Sequence, residues 1–292
     1  MKLDTHAPKP FLKWAGGKSS VLSSLNNYLP ENFSNFHEPM IGGGAFFIDL
    51  KKEKNIDRKF FIGDYNEDLI NVYTIVKSDV NALINHLKKI EEIYLGHDLT
   101  DREKYYYEMR AYEPINSVEK ASKFIFLNKT CFNGLYRVNK AGKFNVPHGK
   151  YKSPKICDAD NLLAISNLLD DVKLKQHDIR NGYVDAKAKD LIYLDPPFYP
   201  ISKTADFTSY TSNKFLHDEQ LNLKLLIDDL TKKQIYVMLS NSDHPWIIGA
   251  YQASKYSIQY IQARRSLSSA VKSRGQINEL IITNYHLVDG NL

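Results

Sequence analysis

The stretch LIYLDPPFYP, from Leu191 to Pro200, joins an apolar run to an aspartate, two prolines and two aromatic residues. Proline fixes φ and lacks a backbone N–H, so Pro196 and Pro197 form a stiff corner that leaves its carbonyl groups available and presents Phe198. In a doubly wound sheet, ligands bind outside the carboxyl ends of the strands, which is where Asp195 would lie. On this stretch alone, a solvated aspartate at an ordinary strand-to-loop corner is an equal interpretation.

Helical and strand patterns alternate along the chain on both sides of this stretch. Apolar residues at helical spacing predict helices over 19–29, 66–77, 80–93, 118–129 and 218–230. Short apolar or alternating runs predict strands over 59–63, 172–178, 190–195, 234–242, 256–264 and 279–285. This order predicts an α/β fold with a Rossmann-like, doubly wound sheet. The middle, residues 70–156, is helix-rich with a β-hairpin signal at Gly142, so we interpret it as a domain inserted between 1–69 and 157–292.

Composition narrows the class of protein. The chain has 292 residues, a length that fits one large domain or a domain with an insertion. Its net charge of +5 permits a nucleic-acid partner. Its two cysteines form no CxxC pair, which favours a reducing, cytoplasmic protein without disulfides or zinc. The N-terminal stretch has no apolar core of a secretory signal, and no apolar run reaches membrane length. We therefore expect no membrane partner.

A glycine-rich turn in EPMIGGGAFF, which begins at Glu38, indicates a ligand loop. Gly42, Gly43 and Gly44 would let the backbone approach a ligand closely. Asp64 follows 22 positions after Gly42, a spacing typical of an acid that hydrogen-bonds ribose hydroxyls. A phenylalanine stands where the third glycine of a nicotinamide motif belongs, which weakens that interpretation. The alternative is a glycine-rich turn with an unrelated aspartate.

The segment KWAGGKSS, Lys13 to Ser20, ends like a phosphate-binding loop but lacks that motif's first glycine, because Leu12 occupies its position. Trp14 beside two glycines could still bind a ligand, and Lys18 at a helix start could form an ion pair with a carboxylate. A plain surface turn is the competing interpretation.

Two basic stretches lack acidic residues. Between Lys129 and Lys155 there are seven lysines and arginines, with aromatic rings among them, and QARRSLSSAVKSRGQ near the C-terminus carries four more. Such stretches suit a nucleic-acid surface, although a single basic run is usually a solvated face.

The motifs, taken in order, resemble those of Dam-type DNA adenine N6-methyltransferases over nearly the whole chain. They are FLKWAGGK, EPMIGGGAFF, GDYNEDLI, NGLYRVNKAGKFNVPHGKYKSP, YLDPPFYPISKTADFTSYTSNKF, LSNSD, RRSLSS and NEL. Two positions depart from the family pattern: Phe198, where tyrosine is frequent, and Met40, where phenylalanine is usual. The first could alter base stacking and the second the donor pocket.

The resemblance implies a methyl donor, a substrate and their binding residues. The donor is S-adenosylmethionine, with no metal, and the substrate is double-stranded DNA, with GATC the expected target. The donor-binding candidates are Trp14, Lys18, Glu38, Gly42, Gly43, Gly44, Asp64, Asp178 and Asp195. The inserted segment becomes a target-recognition domain, and the DNA-binding candidates are Asn133, Leu135, Arg137, Asn139, Pro147, Lys150, Arg264 and Arg265. The sequence leaves open whether the enzyme works alone or beside a restriction endonuclease that acts on the same site without contacting it.

Adenine methylation would explain the proline corner. The amino group of adenine is a poor nucleophile, because its lone pair is delocalised into the ring. Asp195 and the Pro196 carbonyl could each accept one amino hydrogen, while Pro197 stiffens the corner and Phe198 stacks on the base. A base inside a duplex is unreachable, so it must be flipped out.

Rival functions fit less of the sequence. A nicotinamide oxidoreductase gives no role to the proline corner, and a non-catalytic nucleic-acid-binding protein leaves both that corner and the glycine loop unused. Cytosine C5 methylation needs a nucleophilic cysteine, usually after proline, which neither Cys131 nor Cys157 matches. Methylation of cytosine N4, or of RNA, is the nearest alternative.

Overall fold

The computed structural model describes residues 7–53, 58–183, 185–200, 217–254, 256–264 and 276–287. The chain divides into two compact units. Unit 1 consists of Met1–Gly17, Gly42–Lys54 and Asn66–Gln176, and unit 2 of Lys18–Ile41, Asn55–Tyr65 and His177–Leu292. The range interpreted as an insertion, 70–156, lies wholly within unit 1.

Seven strands occur in the described residues. They are β1 (Phe36–Glu38), β2 (Phe60–Asp64), β3 (Lys173–Gln176), β4 (Leu191–Leu194), β5 (Tyr236–Ser242), β6 (Ser257–Arg264) and β7 (Gln276–Thr283). They form one sheet in the order β3-β2-β1-β4-β5-β7-β6. β1 is parallel to β2 and β4, and β4 to β5, whereas β7 is antiparallel to β5 and β6. The predicted α/β class with a Rossmann-like sheet is confirmed.

Nine α-helices lie in the same described ranges. They are α1 (Leu22–Asn27), α2 (Ala45–Lys51), α3 (Glu67–Ser78), α4 (Val80–Gly96), α5 (Leu99–Ala111), α6 (Ser117–Thr130), α7 (Ala159–Leu169), α8 (His217–Lys232) and α9 (Pro245–Gln252). Side-chain caps fix several starts: Asn66 accepts from the N–H of Leu69 at α3, and Asn116 from that of Glu119 at α6. Within the ranges that the structure describes, no helix has the length and apolar composition to cross a bilayer.

The core of unit 2 forms on one face of the sheet. β4 is buried at every position, but only Ile192 and Leu194 belong to the apolar cluster that contains Leu239, Leu280 and Ile282. Side chains alternate across a strand, so Tyr193 lies on the opposite face. Apolar residues of α8 cover the cluster, namely Leu223, Ile227 and Leu230. This packing fixes β4, and therefore the position of the residue that follows it.

Several elements differ from the sequence-based prediction. β1 is only three residues long, and α5 buries a single side chain, Tyr106, so neither carries a periodic apolar pattern. α7 and α9 were likewise not predicted. The expected hairpin is reduced to one bridge between Val138 and Phe144, although Gly142 does adopt the positive φ, 74°, that the turn requires.

Candidate active site

Three carboxylates of unit 2 lie at the carboxyl edge of the parallel strands. Glu38 is the last residue of β1, Asp64 the last of β2, and Asp195 directly follows β4. Because β1 lies between β2 and β4, this part of the sheet is the point at which the strand order reverses. Ligands of doubly wound folds bind at such a point.

Lys18 connects two of the sequence-predicted catalytic residues. Its ammonium Nζ lies 2.7 Å from Asp195 Oδ1 and 4.7 Å from the centre of the Phe198 ring. The side chain of Lys18 is only 5% exposed and that of Asp195 21%, so the pair is largely shielded from water. Burial raises the pKa of Asp195, and the charge and hydrogen bond of Lys18 oppose that rise. The three residues form one contact group, which we call the Lys18 group.

Hydrogen bonds hold the corner after Asp195 against the end of β5. Gln220 of α8 donates from Nε2 to the carbonyl of Pro197 (3.0 Å) and accepts through Oε1 from Asn241 Nδ2 (3.0 Å). Asn241 Oδ1 in turn accepts from the N–H of Tyr199 (3.2 Å), and Ser242 Oγ donates to the Tyr199 carbonyl (2.7 Å). Since Gln220 and Asn241 are fully buried, this network fixes the corner.

Asp64 and Asp178, both predicted to bind the donor, lie close together. The N–H of His177 donates to the carbonyl of Asp64 at 3.0 Å, which brings Asp178 beside the end of β2. The Asp178 carboxylate accepts from both Nε and Nη2 of Arg180, and this guanidinium lies 5.1 Å from the Tyr65 ring centre. Arg180 lowers the pKa of Asp178 and keeps it charged.

In unit 1, the predicted donor residues Trp14, Gly42 and Gly43 lie in contact. A Cβ at Gly42 would come within 2.6 Å of the Trp14 ring, and one at Gly43 within 3.1 Å of the Trp14 Cβ. Gly44 takes a left-handed conformation, φ 68°, at the start of α2. Glycine is therefore required at these positions for the indole to pack. Trp14 also stacks on Tyr136, with 5.6 Å between the two ring centres.

The predicted DNA-binding residues of unit 1 occupy a loop region after α6. Asn133 lies in a 3₁₀ turn with φ 56°, Leu135 follows it half-buried, and Pro147 is exposed. Arg137 is exposed and donates through Nε to Asn145 Oδ1 (2.7 Å) and through Nη2 to the Asn145 carbonyl (3.3 Å).

Asn139 caps the hairpin turn with its side-chain oxygen, which accepts from the N–H groups of Ala141 and Lys143, both at 3.0 Å. Lys150 is exposed, with a positive φ of 53°. Arg265 and the side chain of Arg264 lie outside the described residues.

The fold changes the surroundings of the basic segment in two ways. Glu103 and Glu113, distant in sequence, approach Lys150 (3.5 Å) and Lys143 (3.6 Å). Of the rings in this segment, Tyr136 packs against Trp14 and Phe124, whereas Phe132 stays 45% exposed. The segment is less uniformly basic, and presents fewer rings, than its sequence indicates.

Both cysteines are buried, and burial raises the pKa of Cys131 to about 12 and that of Cys157 to about 11. A thiolate nucleophile at either position is therefore strongly disfavoured at neutral pH. Among the described residues, no group of three or more His, Cys, Asp or Glu side chains is placed to hold a metal ion.

Sequence reasoning gave no role to the residues that orient the site. Gln220 and Asn241 act through hydrogen bonds to residues distant in the sequence, which periodicity does not reveal. Arg180 bonds to Asp178, two residues before it, but lies outside any motif. The available signals were an amide on an otherwise apolar helix face and the polar end of β5 in LSNSD.

The chain is similar to proteins of one enzyme family across most of its length. A family model described as D12 class N6 adenine-specific DNA methyltransferase matches residues 14–267. The chain is 41% identical over 290 residues to Type II methyltransferase M.MjaIII of Methanocaldococcus jannaschii, covering 95% of this chain and 99% of that protein. It is 36% identical over 285 residues to Type II methyltransferase M1.LlaDCHI of Lactococcus lactis subsp. cremoris, covering 95% of each. It is 31% identical over 277 residues to the DNA adenine methylase of Escherichia coli K12, covering 94% of each.

Proposed function

Because the chain belongs to the D12 class of N6 adenine-specific DNA methyltransferases, we propose that it uses S-adenosylmethionine to methylate a flipped-out adenine within GATC. The observation that carries this proposal is the Lys18 group at the carboxyl end of β4, where a fixed, shielded carboxylate lies beside an aromatic ring. A flipped base needs both features, an acceptor for its amino group and a ring on which to stack.

Asp195 and Pro196 act on the amino group of the adenine. When bound, S-adenosylmethionine supplies a methyl group that its positive sulfonium makes electrophilic. Asp195 accepts one amino hydrogen and the Pro196 carbonyl accepts the other, which favours a pyramidal nitrogen with a directed lone pair. This lone pair would take the methyl carbon from the sulfur of the bound donor, which would be left as a thioether. The amino group then releases one proton, to Asp195 or to water.

The network around Gln220 and Asn241 keeps this geometry in place before the base arrives. Its hydrogen bonds hold Pro197 and Tyr199, the residues on either side of Phe198. Little reorganisation is then needed at the moment of transfer, which is the largest usual contribution to catalysis.

The chemistry of the carboxylates in unit 2 fits the donor. Ribose hydroxyls and an α-ammonium group need acceptors, which Asp64, Glu38 and Asp195 supply at the carboxyl edge of the sheet. We assign Asp178 to the donor's adenine amino group, because its carboxylate is kept charged by Arg180 and can accept a further hydrogen bond. In unit 1, the indole of Trp14 and the glycine turn 42–44 are the donor-binding candidates.

Target reading is assigned to residues 70–156, as a target-recognition domain. Arg137 donates from Nε and from one Nη2 hydrogen to Asn145. Within the described residues, its Nη1 group has no partner and is available to a guanine. A bidentate arginine–guanine contact is the commonest specific contact in DNA recognition. Asn133, Leu135, Pro147 and Lys150 belong to the same surface, with Asn139 shaping the turn. GATC itself rests on the resemblance of this segment to Dam-type enzymes.

The cellular setting follows from DNA as the substrate, and we place the enzyme in the cytoplasm. Relatives bear both kinds of name, type II methyltransferase and DNA adenine methylase. A restriction endonuclease that shares the target would act on the same DNA site without contacting this chain.

The test is methylation of an unmodified plasmid by the purified protein with S-adenosylmethionine, followed by sequencing that detects modified bases. N6-methyladenine at GATC, absent when the donor is omitted, is the expected result. Modified adenines at another sequence would remove GATC alone, whereas modified cytosine would contradict the proposed chemistry.

A further inference from the structure

Helix α5 is tied to the predicted DNA-binding loop region by side-chain hydrogen bonds rather than by apolar packing. Tyr106 is the one side chain that this helix buries, and its hydroxyl donates to the backbone carbonyl of Val146 at 2.8 Å. Arg110, one turn further along α5, donates from Nη1 to the same carbonyl at 3.3 Å. One turn in the other direction, Arg102 donates from Nη1 to the carbonyl of Lys152 at 2.7 Å. One face of α5 therefore holds the backbone of this loop region.

Pro147, a predicted DNA-binding residue, is exposed between two buried neighbours that are each held from outside the loop. Val146 before it is held by α5, and His148 after it shares a hydrogen bond of 2.7 Å between its Nε2 and the hydroxyl of Tyr94 on α4. The carbonyl of Pro147 itself accepts from the N–H of Phe132 at 2.9 Å. The backbone of Pro147 is thus fixed relative to the turn after α6.

The same backbone also orients Arg137. Asn145, directly before Val146, accepts from Nε of Arg137 through its side chain and from Nη2 through its carbonyl. The N–H of Asn145 donates back to the carbonyl of Arg137 at 3.0 Å. A displacement of Val146 would therefore move both Arg137 and Pro147. Side chains that recognise a ligand need partners of this kind, which lock them in place before binding.

We propose that Tyr106 and Tyr94 are positioning residues for target recognition, because their hydroxyl groups fix the backbone from which Arg137 and Pro147 project. Both tyrosines are 0% exposed, so they act through the residues that they hold and not by touching DNA. The inference rests on the proposed function, since it takes Arg137 as the residue that reads a base.

The test uses Tyr106→Phe and Tyr94→Phe, which keep each ring and remove one hydroxyl. The measurement is the ratio of binding constants, at fixed salt, for a duplex carrying the sequence methylated in the plasmid experiment and for a scrambled duplex. A neutral hydrogen bond is worth roughly twofold to tenfold in an equilibrium constant, so this ratio should fall by about that factor in each variant. Affinity for the scrambled duplex and for the donor should change by less than about twofold, because phosphate contacts carry no sequence information.

The matched control is Tyr107→Phe, which removes the hydroxyl of the neighbouring tyrosine on α5. Tyr107 is 36% exposed, and its variant should discriminate between the two duplexes as the wild type does. In an Arg137→Ala background, Tyr106→Phe should cause a smaller further loss of discrimination than it causes alone, because the residue that it positions is gone.

Three results would overturn the proposal for a given tyrosine. They are wild-type discrimination in its phenylalanine variant, equal losses of affinity for both duplexes, and a lower melting temperature with unchanged discrimination, which is what a purely structural role would give. An undiminished further loss in the Arg137→Ala background would also overturn it for Tyr106. If Arg137→Ala alone discriminated as well as the wild type, the assignment of base reading to Arg137 would be wrong.

Discussion

Gln220 makes a sharp test of how the corner after Asp195 is held, because its buried amide hydrogen-bonds to both the corner and β5. Replacing Gln220 with Ala removes the bond to the Pro197 carbonyl and the bond from Asn241. Asn241 stays buried, whereas Pro197 is exposed and its carbonyl can be solvated. An unsatisfied buried group costs about 1–3 kcal/mol, and Asn241 is the one buried partner left unsatisfied, so the free energy of unfolding should fall by about 1–3 kcal/mol. The transfer rate should fall as well, because the proline corner loses one of its attachments.

Urea denaturation measures the stability, and single-turnover methylation with saturating donor measures the rate. The matched control is Gln252→Ala, an exposed glutamine at the end of α9, which should change stability by less than about 0.5 kcal/mol. Donor affinity should be unchanged in both variants. If Gln220→Ala unfolded at the same urea concentration as Gln252→Ala, and transferred methyl groups at the same rate, the corner would not depend on this network.

Four further outcomes are expected. Asp64→Ala should weaken donor binding by about 1–3 kcal/mol in calorimetry, and an unchanged affinity in the folded variant would remove Asp64 from the site. Arg137→Ala should reduce the discrimination between target and scrambled DNA by roughly 1–3 kcal/mol, whereas Lys143→Ala should lower the affinity for all duplexes alike. If the arginine variant lost equal affinity for target and scrambled DNA, base reading by Arg137 would be contradicted. Phe198→Ala should slow transfer through about 1–3 kcal/mol of lost stacking, and Phe198→Tyr should be nearly neutral, as single-turnover rates will show. Burial raises the pKa of Asp195, and the charged form of this carboxylate is the active one. As the pH decreases, the methylation rate should therefore fall at a higher pH than the protonation of an ordinary aspartate would give. A pH–rate profile whose acidic limb lies at ordinary aspartate values would count against this role.

The sequence predicted those parts of the fold that depend on local patterns. β4 and β2 are apolar runs that end in an acid, so their carboxyl ends, and with them Asp195 and Asp64, could be located from periodicity. β1 could not, because its three residues include His37 and Glu38. His37 is buried, and its ring nitrogens are satisfied by hydrogen bonds to Tyr183 and Asp190, both distant in the sequence. A polar side chain buried by a distant partner carries no local signal.

The same limit applies to the site. The chemistry of Asp195, Pro196 and Phe198 is apparent in the sequence, but the contact of Lys18 with two of these residues depends on how the fold brings residue 18 beside β4. Likewise, an acid-free stretch of sequence does not ensure an acid-free surface, because Glu103 and Glu113 approach it from elsewhere.

Asp195→Asn tests the central claim most directly, because it keeps the shape of the side chain and removes its charge. The measurement is single-turnover methylation with donor and DNA both saturating, together with a melting curve that confirms folding. We expect a rate lower by roughly 10²–10³, or about 2.7–4 kcal/mol, as for the loss of one preorganised active-site group. A folded Asp195→Asn protein that methylates adenine at nearly the wild-type rate would contradict it.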